Sequence, residues 1–148
     1  MNRTVLLTTA CLPLALLLAP CAHSQPVPMQ PGRYEVIATS TVTAAAGTEK
    51  GKAERASRCI KAETLANPDA VFNNRFLADF KPDESCKLGG VSIGGGKVAY
   101  GADCKYSTVR VEGTFTEGAY SVVRKAVNKG PGPSVETRIE GKRMGPCG

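Results

Sequence analysis

The feature that most constrains this chain is a glycine-rich stretch between two cysteines, CKLGGVSIGGGKVAYGADC at residues 86–104. Folded about Gly95, the stretch places Cys86 directly across from Cys104, and facing Cα atoms of an antiparallel pair lie close enough for a disulfide. We therefore predict a hairpin with a Gly94–Gly96 loop and a Cys86–Cys104 bond. The same register brings complementary side chains together: Lys87 with Asp103, Leu88 with Ala102, Gly90 with Tyr100, and Val91 with Ala99.

The same glycines also invite comparison with a phosphate-binding loop. A Walker A loop has a glycine five positions before its Gly-Lys pair and a hydroxyl residue after it, whereas this chain has Val91 and Val98 there. The residues after Lys97 have a strand pattern, so no helix N-terminus is available to an anion. The sequence therefore favours a structural hairpin over a nucleotide site.

The first 24 residues have the pattern of a secretory signal peptide. Arg3 precedes an apolar run over residues 5–19, which is shorter than the roughly 20 residues that span a bilayer. The small residues of Ala22-His23-Ser24 predict cleavage after Ser24. An alternative is lipoprotein processing at Cys21, although Pro20 stands where a small flexible residue is preferred.

Export changes the inventory of chemical groups. The only histidine, His23, leaves with the signal peptide, and the chain has no tryptophan. Ser-His-Asp and Cys-His mechanisms, and zinc sites that need histidine, are therefore excluded for the exported protein. We expect no catalytic residue, no metal and no cofactor.

The exported chain keeps an even number of cysteines, which predicts disulfides in an oxidising compartment. Their gaps of 27, 18 and 43 positions lack the close pairs typical of a four-cysteine zinc site. No Cys-x-x-Cys pair is present, which disfavours a redox role. With Cys86 and Cys104 assigned to the hairpin, elimination predicts a Cys59–Cys147 bond.

The rest of the chain reads as strands joined by tight turns. A proline-rich, extended leader at residues 25–31 precedes a single disulfide-stapled domain at residues 32–148. We predict a mainly β fold: an antiparallel, twisted meander of about six to seven strands, curling toward a partly closed barrel or half-sandwich, with one short helical insertion. The turn at Glu117-Gly118 is predicted to set Phe115 opposite Tyr120.

Two segments carry more specific predictions. At residues 61–80 the strand pattern breaks, and Asp69 is expected to cap a helix from Ala70. That helix is expected to pack on the sheet through residues at helical spacing: Val71, Phe72, Arg75, Phe76 and Phe80. In the second strand, the charged residues of one parity are expected to form a solvated outer face: Lys50, Lys52, Glu54 and Arg58.

Several of these motifs together resemble a known family. They are PGRYEV at residues 31–36, Cys59-Ile60, the middle cysteine pair, and GKRMGPC at residues 141–147. In this order they are similar to a proteobacterial envelope family, domain of unknown function 3617, with Tyr34 where tryptophan is commoner. The resemblance covers nearly all of the exported chain and implies a small exported protein. It brings no catalytic residues with it.

The net charge of the chain indicates which class of partner to expect. The full chain has a net charge of +6, of which Arg3 of the predicted signal peptide contributes one. A basic exported protein is attracted to envelope phosphates and carboxylates. Because the basic residues are interleaved with acids and aromatic residues are few, nucleic acid is not an expected partner.

The favoured function is a non-enzymatic periplasmic binding or interaction module with no transmembrane segment after processing. Its expected partner is an envelope protein, a lipid or an anionic envelope polymer. The alternative is a hydrolase or isomerase of the envelope that uses carboxylates alone. The acids considered for that role are Glu35, Asp79, Asp83, Glu84 and Asp103.

Overall fold

The computed structural model describes residues 26–72 and 86–148, which form one open, antiparallel sheet of eight strands. The strands, with two short helices between the third and fourth, are β1 (Gly32–Ala44), β2 (Gly47–Lys50), β3 (Glu54–Ile60), α1 (Ala62–Leu65), α2 (Pro68–Phe72), β4 (Lys87–Gly94), β5 (Lys97–Asp103), β6 (Ser107–Phe115), β7 (Ala119–Asn128) and β8 (Ser134–Gly145). The predicted mainly β fold with a helical insertion is confirmed. The sheet does not close into a barrel.

The strand order is β2-β1-β8-β7-β6-β5-β4, with β3 also paired to β1. The second predicted strand is divided into β2 and β3, which explains the eighth strand. The break falls at residues 51–53, where the Gly51 N–H donates to the Ser40 carbonyl at 2.8 Å. Because β1 pairs with β8, the two ends of the domain meet inside the sheet.

One face of the sheet is buried and the other faces solvent. Strand residues alternate between the faces, and the buried set includes Tyr34, Val36 and Ala38 of β1. The two helices and the leader cover this face, because Leu65, Phe72, Val27 and Met29 belong to the same core. The Val27 N–H donates to the Leu65 carbonyl at 2.8 Å, which ties the leader to α1.

Helix α2 packs through Phe72 but is capped differently from the prediction. Phe72 lies edge-on to Tyr120, with ring centroids 5.4 Å apart. The side chain of Asn67, not of Asp69, caps the helix, accepting hydrogen bonds from the N–H groups of Asp69 at 3.0 Å and Ala70 at 3.3 Å. Pro68 supplies the first turn, where its fixed φ favours the helix. The predicted Arg75, Phe76 and Phe80 lie outside the described residues.

The predicted hairpin register is correct near the disulfide and wrong near the tip. Lys87 pairs with Asp103 and Leu88 with Ala102, but the register then shifts between Gly89 and Ser92. The turn contains two residues, Gly95 and Gly96, with φ of 56° and 73°. Such a turn matches the twist of the strands better than three glycines do, so a bulge at Gly90 absorbs the extra residue. The predicted pairs Gly90 with Tyr100 and Val91 with Ala99 are therefore not formed.

Both disulfides have the predicted pairing. Cys86 joins Cys104 within the hairpin, and Cys59 joins Cys147 over a separation of 88 residues. The second bond links the end of β3 to the tail after β8 across the start of β1. Asp103 lies opposite Lys87 in the register, but its carboxylate forms an ion pair with Lys129, at 2.6 Å from the Nζ atom.

Neither helix in the described ranges is long or apolar enough to cross a lipid bilayer. The predicted signal peptide and the candidate lipidation site Cys21 lie outside the described residues.

Candidate functional site

The carboxylates considered for catalysis do not converge in the described part of the chain. Glu35 on β1 lies 3.5 Å from Arg55 at the surface, and Asp103 is on β5 beside Lys129. Four strand spacings separate β1 from β5, which amounts to about 19 Å. Asp79, Asp83 and Glu84 lie outside the described residues. Within residues 26–72 and 86–148, no group of three or more histidine, cysteine or acidic residues could hold a metal ion.

A buried polar cluster joins the helices to the sheet. Arg58 is not on the predicted solvated face: its side chain lies on the covered face of β3 and donates to the carbonyls of Ala70 and Val71, the latter at 2.9 Å. These carbonyls lie at the end of α2, where a cation is favourable. Beside it, buried Asp69 accepts a hydrogen bond from the Tyr100 hydroxyl at 3.1 Å. The contacts of this cluster fix α2 against the sheet.

Burial shifts the pKa of Arg58 in this cluster and of two tyrosines near it, Tyr120 and Tyr34. Burial raises the pKa of Tyr120 to about 12, although the neighbouring Arg58 opposes the rise. Burial also raises the pKa of Tyr34, whose hydroxyl donates to the Gln30 carbonyl at 2.7 Å. The same burial lowers the pKa of Arg58, and Tyr120 opposes that change. These tyrosines remain neutral far above neutral pH and stabilise the core rather than exchange protons.

The raised pKa of Tyr120 predicts alkaline destabilisation. The ordinary pKa of tyrosine is 10, and that of Tyr120 in the folded protein is about 12. Between these two pH values Tyr120 is ionised in the unfolded chain and neutral in the folded one. Ionisation therefore stabilises the unfolded state relative to the folded state. We expect full stability from this group below pH 10 and a loss of about 3 kcal/mol once the pH exceeds 12. Denaturant unfolding across this range measures the slope.

The matched controls are two tyrosine-to-phenylalanine variants. Tyr120→Phe removes the group with the pKa of about 12 and should reduce the alkaline slope, and the raised pKa of Tyr34 accounts for a remainder. Tyr106→Phe should keep the parent slope, because Tyr106 is 67% exposed. Equal slopes in both variants would show that Tyr120 does not drive the loss.

A groove of about 560 Å³ lies across strands β4 to β7. Its floor includes Gly89 and Gly101, and its walls include the side chains of Thr108, Arg110 and Lys125. Gly101 alternates along β5 with the buried Tyr100 and Ala102, so the position faces solvent. The groove therefore opens on the face of the sheet opposite the helices.

The electrostatics of the groove are basic. In the strand register Arg110 lies directly opposite Lys125 on one side and Gly101 on the other. Like charges placed directly opposite each other in a sheet repel. Arg110 is partly compensated, because its Nε–H donates to the carboxylate of Glu112 on the same strand. On its other side Lys125 lies opposite Glu136 of β8. The groove thus holds two adjacent cations, each with an acid near it, beside a glycine floor.

Two of the three glycines that line the groove are not required by the backbone, whereas the third, Gly90, has a φ of 62° at the bulge. Neither Gly89 nor Gly101 has a positive φ. A Cβ atom on Gly89 would meet nothing within 4 Å, and one on Gly101 would meet its nearest atoms at 3.7 Å. By contrast, a Cβ on Gly113 would lie 2.2 Å from the Ser121 carbonyl oxygen. A glycine within a strand lowers the stability of the fold by about 0.5–1 kcal/mol relative to alanine. Since packing does not require glycine at positions 89 and 101, the structural effect of these two glycines is to keep the groove open.

The sequence prediction did not include this groove, although one signal for it was present. The predicted pairing of Phe115 with Tyr120 is confirmed, and it fixes the register of the whole β6–β7 hairpin. Followed back along both strands, that register sets Arg110 against Lys125. The pairing of Gly101 with Arg110 needs the β5–β6 turn as well, where the Cys104 N–H donates to the Ser107 carbonyl at 2.9 Å.

Comparison with known proteins places the chain in a family. Residues 29–147 match the family model described as protein of unknown function, DUF3617. The chain belongs to the DUF3617 family. The DUF3617 match spans all eight strands, the four paired cysteines and the groove, and it confirms the resemblance seen in the sequence. No curated protein and no solved structure matches the chain. The family description names no activity, so the function has to be argued from the groove itself.

Proposed function

We propose that the protein is an exported, non-enzymatic binding module of the periplasm and that its ligand is anionic. The observation that carries the proposal is the direct opposition of Arg110 and Lys125 beside the groove. An anion between two adjacent cations replaces their repulsion with two attractive, charge-assisted contacts. Each cation also has an acid near it, Glu112 for Arg110 and Glu136 opposite Lys125, and the anion adds a ligand that the two cations share.

Two further properties support the proposal. The two disulfides are typical of a protein in an oxidising compartment, which agrees with export. The positive net charge of the chain favours approach of an anionic ligand over long distances. The non-enzymatic character is supported by the separation of Glu35 and Asp103 and by the absence of histidine after residue 23.

Binding of linear polyphosphate to the purified protein tests the proposal. We expect measurable binding by isothermal titration calorimetry, weakening as salt is added because the contacts are exposed. The double variant Arg110→Gln, Lys125→Gln should bind at least about tenfold more weakly, since it loses two charge-assisted contacts.

A matched control separates the groove from the overall charge. The double variant Arg138→Gln, Lys142→Gln removes the same charge from exposed positions of β8 outside the groove. It should bind polyphosphate within about twofold of the parent. Equal losses in the two double variants would assign binding to net charge, and no binding by the parent would reject the proposed function.

A further inference from the structure

The turn between β5 and β6 presents an exposed aromatic ring near one end of the groove. Tyr106 is 67% exposed at the tip of this two-residue turn, and the Nζ atom of Lys105 lies 4.8 Å from its ring centroid. The Lys129 N–H donates to the Tyr106 carbonyl at 2.9 Å. The Cys86–Cys104 disulfide lies directly before the turn. The ring is thus held out from the sheet on a tethered turn.

Basic side chains and one exposed apolar side chain lie at the same end of the sheet as this ring. The apolar one is Val127, which lines the groove and is 42% exposed. We call this end of the sheet the tip surface, and define it by the following residues: Lys87, Lys105, Tyr106, Arg110, Lys125, Val127 and Lys129. Its five cations outnumber the three nearby acids: Asp103 is paired with Lys129, Glu112 with Arg110, and Glu136 lies opposite Lys125.

We propose that the tip surface docks onto a bilayer that contains anionic phospholipid. In the docked state the groove holds a lipid phosphate, and the Tyr106 ring lies among the headgroups. The inference rests on the proposed function for its anion site and adds the identity of the ligand. It involves no covalent step.

The donor set of the groove fits a phosphate. Arg110 presents a planar fork of N–H groups, Lys125 an ammonium and Thr108 a hydroxyl. A carboxylate has only two oxygens and cannot accept hydrogen bonds from all of these donors with good geometry. A phosphate has more acceptor oxygens, and they are arranged tetrahedrally. A phosphodiester headgroup has this chemistry, and its glycerol leaves the groove past Val127, the exposed apolar side chain of the lining.

The exposed ring distinguishes a lipid surface from a soluble polyanion. A tyrosine has an apolar body and a polar hydroxyl, and for this reason the residue is enriched where membranes meet water. A soluble anionic polymer would need only the cations. Lysines next to such a ring add attraction to an anionic leaflet, and this attraction falls within a Debye length.

The first experiment compares vesicle binding with polyphosphate binding. In co-sedimentation, the parent should bind vesicles of phosphatidylcholine with phosphatidylglycerol and should bind vesicles of phosphatidylcholine alone at least about tenfold more weakly. Tyr106→Ser should weaken vesicle binding several-fold and leave polyphosphate binding unchanged. Met144→Ser, which alters an apolar side chain that is 55% exposed near the end of β8, should change neither.

The second experiment uses the absence of tryptophan from the chain. Tyr106→Trp introduces one fluorophore at the tip, and its emission should shift to the blue on addition of the phosphatidylglycerol vesicles. Met144→Trp should show no shift. Both positions are exposed, so the variants should keep the melting temperature of the parent, which is checked first.

The outcomes separate the two proposals. If the parent binds polyphosphate through the groove but does not bind vesicles, or if Tyr106→Ser binds vesicles as the parent does, the membrane inference is overturned and the binding module remains. If Tyr106→Trp and Met144→Trp shift equally, docking does not use the tip surface. If the parent binds neither probe, both proposals fall.

Discussion

Replacing Cys59 and Cys147 together by alanine is expected to lower the free energy of unfolding by about 4.5 kcal/mol, which is much of the stability of a typical small domain. The bond closes a loop of 88 residues, so without it the unfolded chain gains a large amount of conformational freedom. Both cysteines are exposed, so the change to alanine removes little packing. Denaturant unfolding under oxidising conditions gives the difference directly.

The hairpin disulfide is the internal control for this effect. Cys86 and Cys104 are separated by only 18 residues, so their replacement by alanine should cost about 3 kcal/mol. Cys104 is 7% exposed and belongs to the core, whereas Cys59 and Cys147 do not. A larger cost for the hairpin pair than for Cys59–Cys147 would mean that packing at Cys104, and not loop closure, sets the contribution of these bonds.

The sequence predicted best where one local rule acts alone. The two-residue turn at Glu117-Gly118 forces Phe115 to face Tyr120, and that pairing is present. The Cys86–Cys104 register was also correct at its cysteine end. It failed at the tip because two rules competed: three glycines permit a longer loop, but the two-residue turn at Gly95-Gly96 fits the strand twist better.

Long-range packing explains what the sequence did not predict. Arg58 shares its parity with solvated charges, yet α2 folds over it and accepts hydrogen bonds from its guanidinium. The proline-rich leader looked like a simple extended segment, but Val27 and Met29 complete the core beneath the helices. Neither outcome follows from periodicity, because each depends on which element crosses the sheet.

The groove also depends on long-range packing and was not predicted from the sequence. Its floor and walls come from four strands, and no contiguous motif contains Gly101, Arg110 and Lys125. The composition of the glycine-rich hairpin resembles a phosphate loop, but the spacing of its glycines does not match one. In the structure Lys97 begins a strand and not a helix. A groove lies beside the hairpin nevertheless, because Gly101 lies opposite Arg110 and Gly89 lies next to Gly101 on the same face.

Glycines thus have two different roles in this sheet, and Gly141 of β8 represents the other one. Its position faces the core between Val36 of β1 and Tyr120 of β7. A Cβ atom there would lie 2.1 Å from the Tyr120 ring, which is 4% exposed. Phe72 holds that ring edge-on at 5.4 Å, so the ring has no space to move into.

We expect opposite effects from the same substitution at the two kinds of glycine. Gly141→Ala should lower the free energy of unfolding by about 3 kcal/mol, because the added methyl group overpacks the core against Tyr120. Gly101→Ala should raise it by about 0.5–1 kcal/mol, because the methyl group fits and strand glycine is costly in entropy. Denaturant midpoints at an unchanged m-value measure both changes.

The sign at Gly101 decides how its glycine is understood. A stabilised Gly101→Ala variant that also binds polyphosphate more weakly would mean that stability is given up at this position to keep the groove open, as is common at binding sites. A destabilised variant would instead make Gly101 a packing residue like Gly141, and the open floor would then be a by-product of the sheet. Gly141→Ala tests whether the core is rigid at the other kind of glycine. If this variant is as stable as the parent, the Tyr120 ring can move away from the added methyl group. The space around a Cβ atom would then no longer distinguish Gly101 from Gly141.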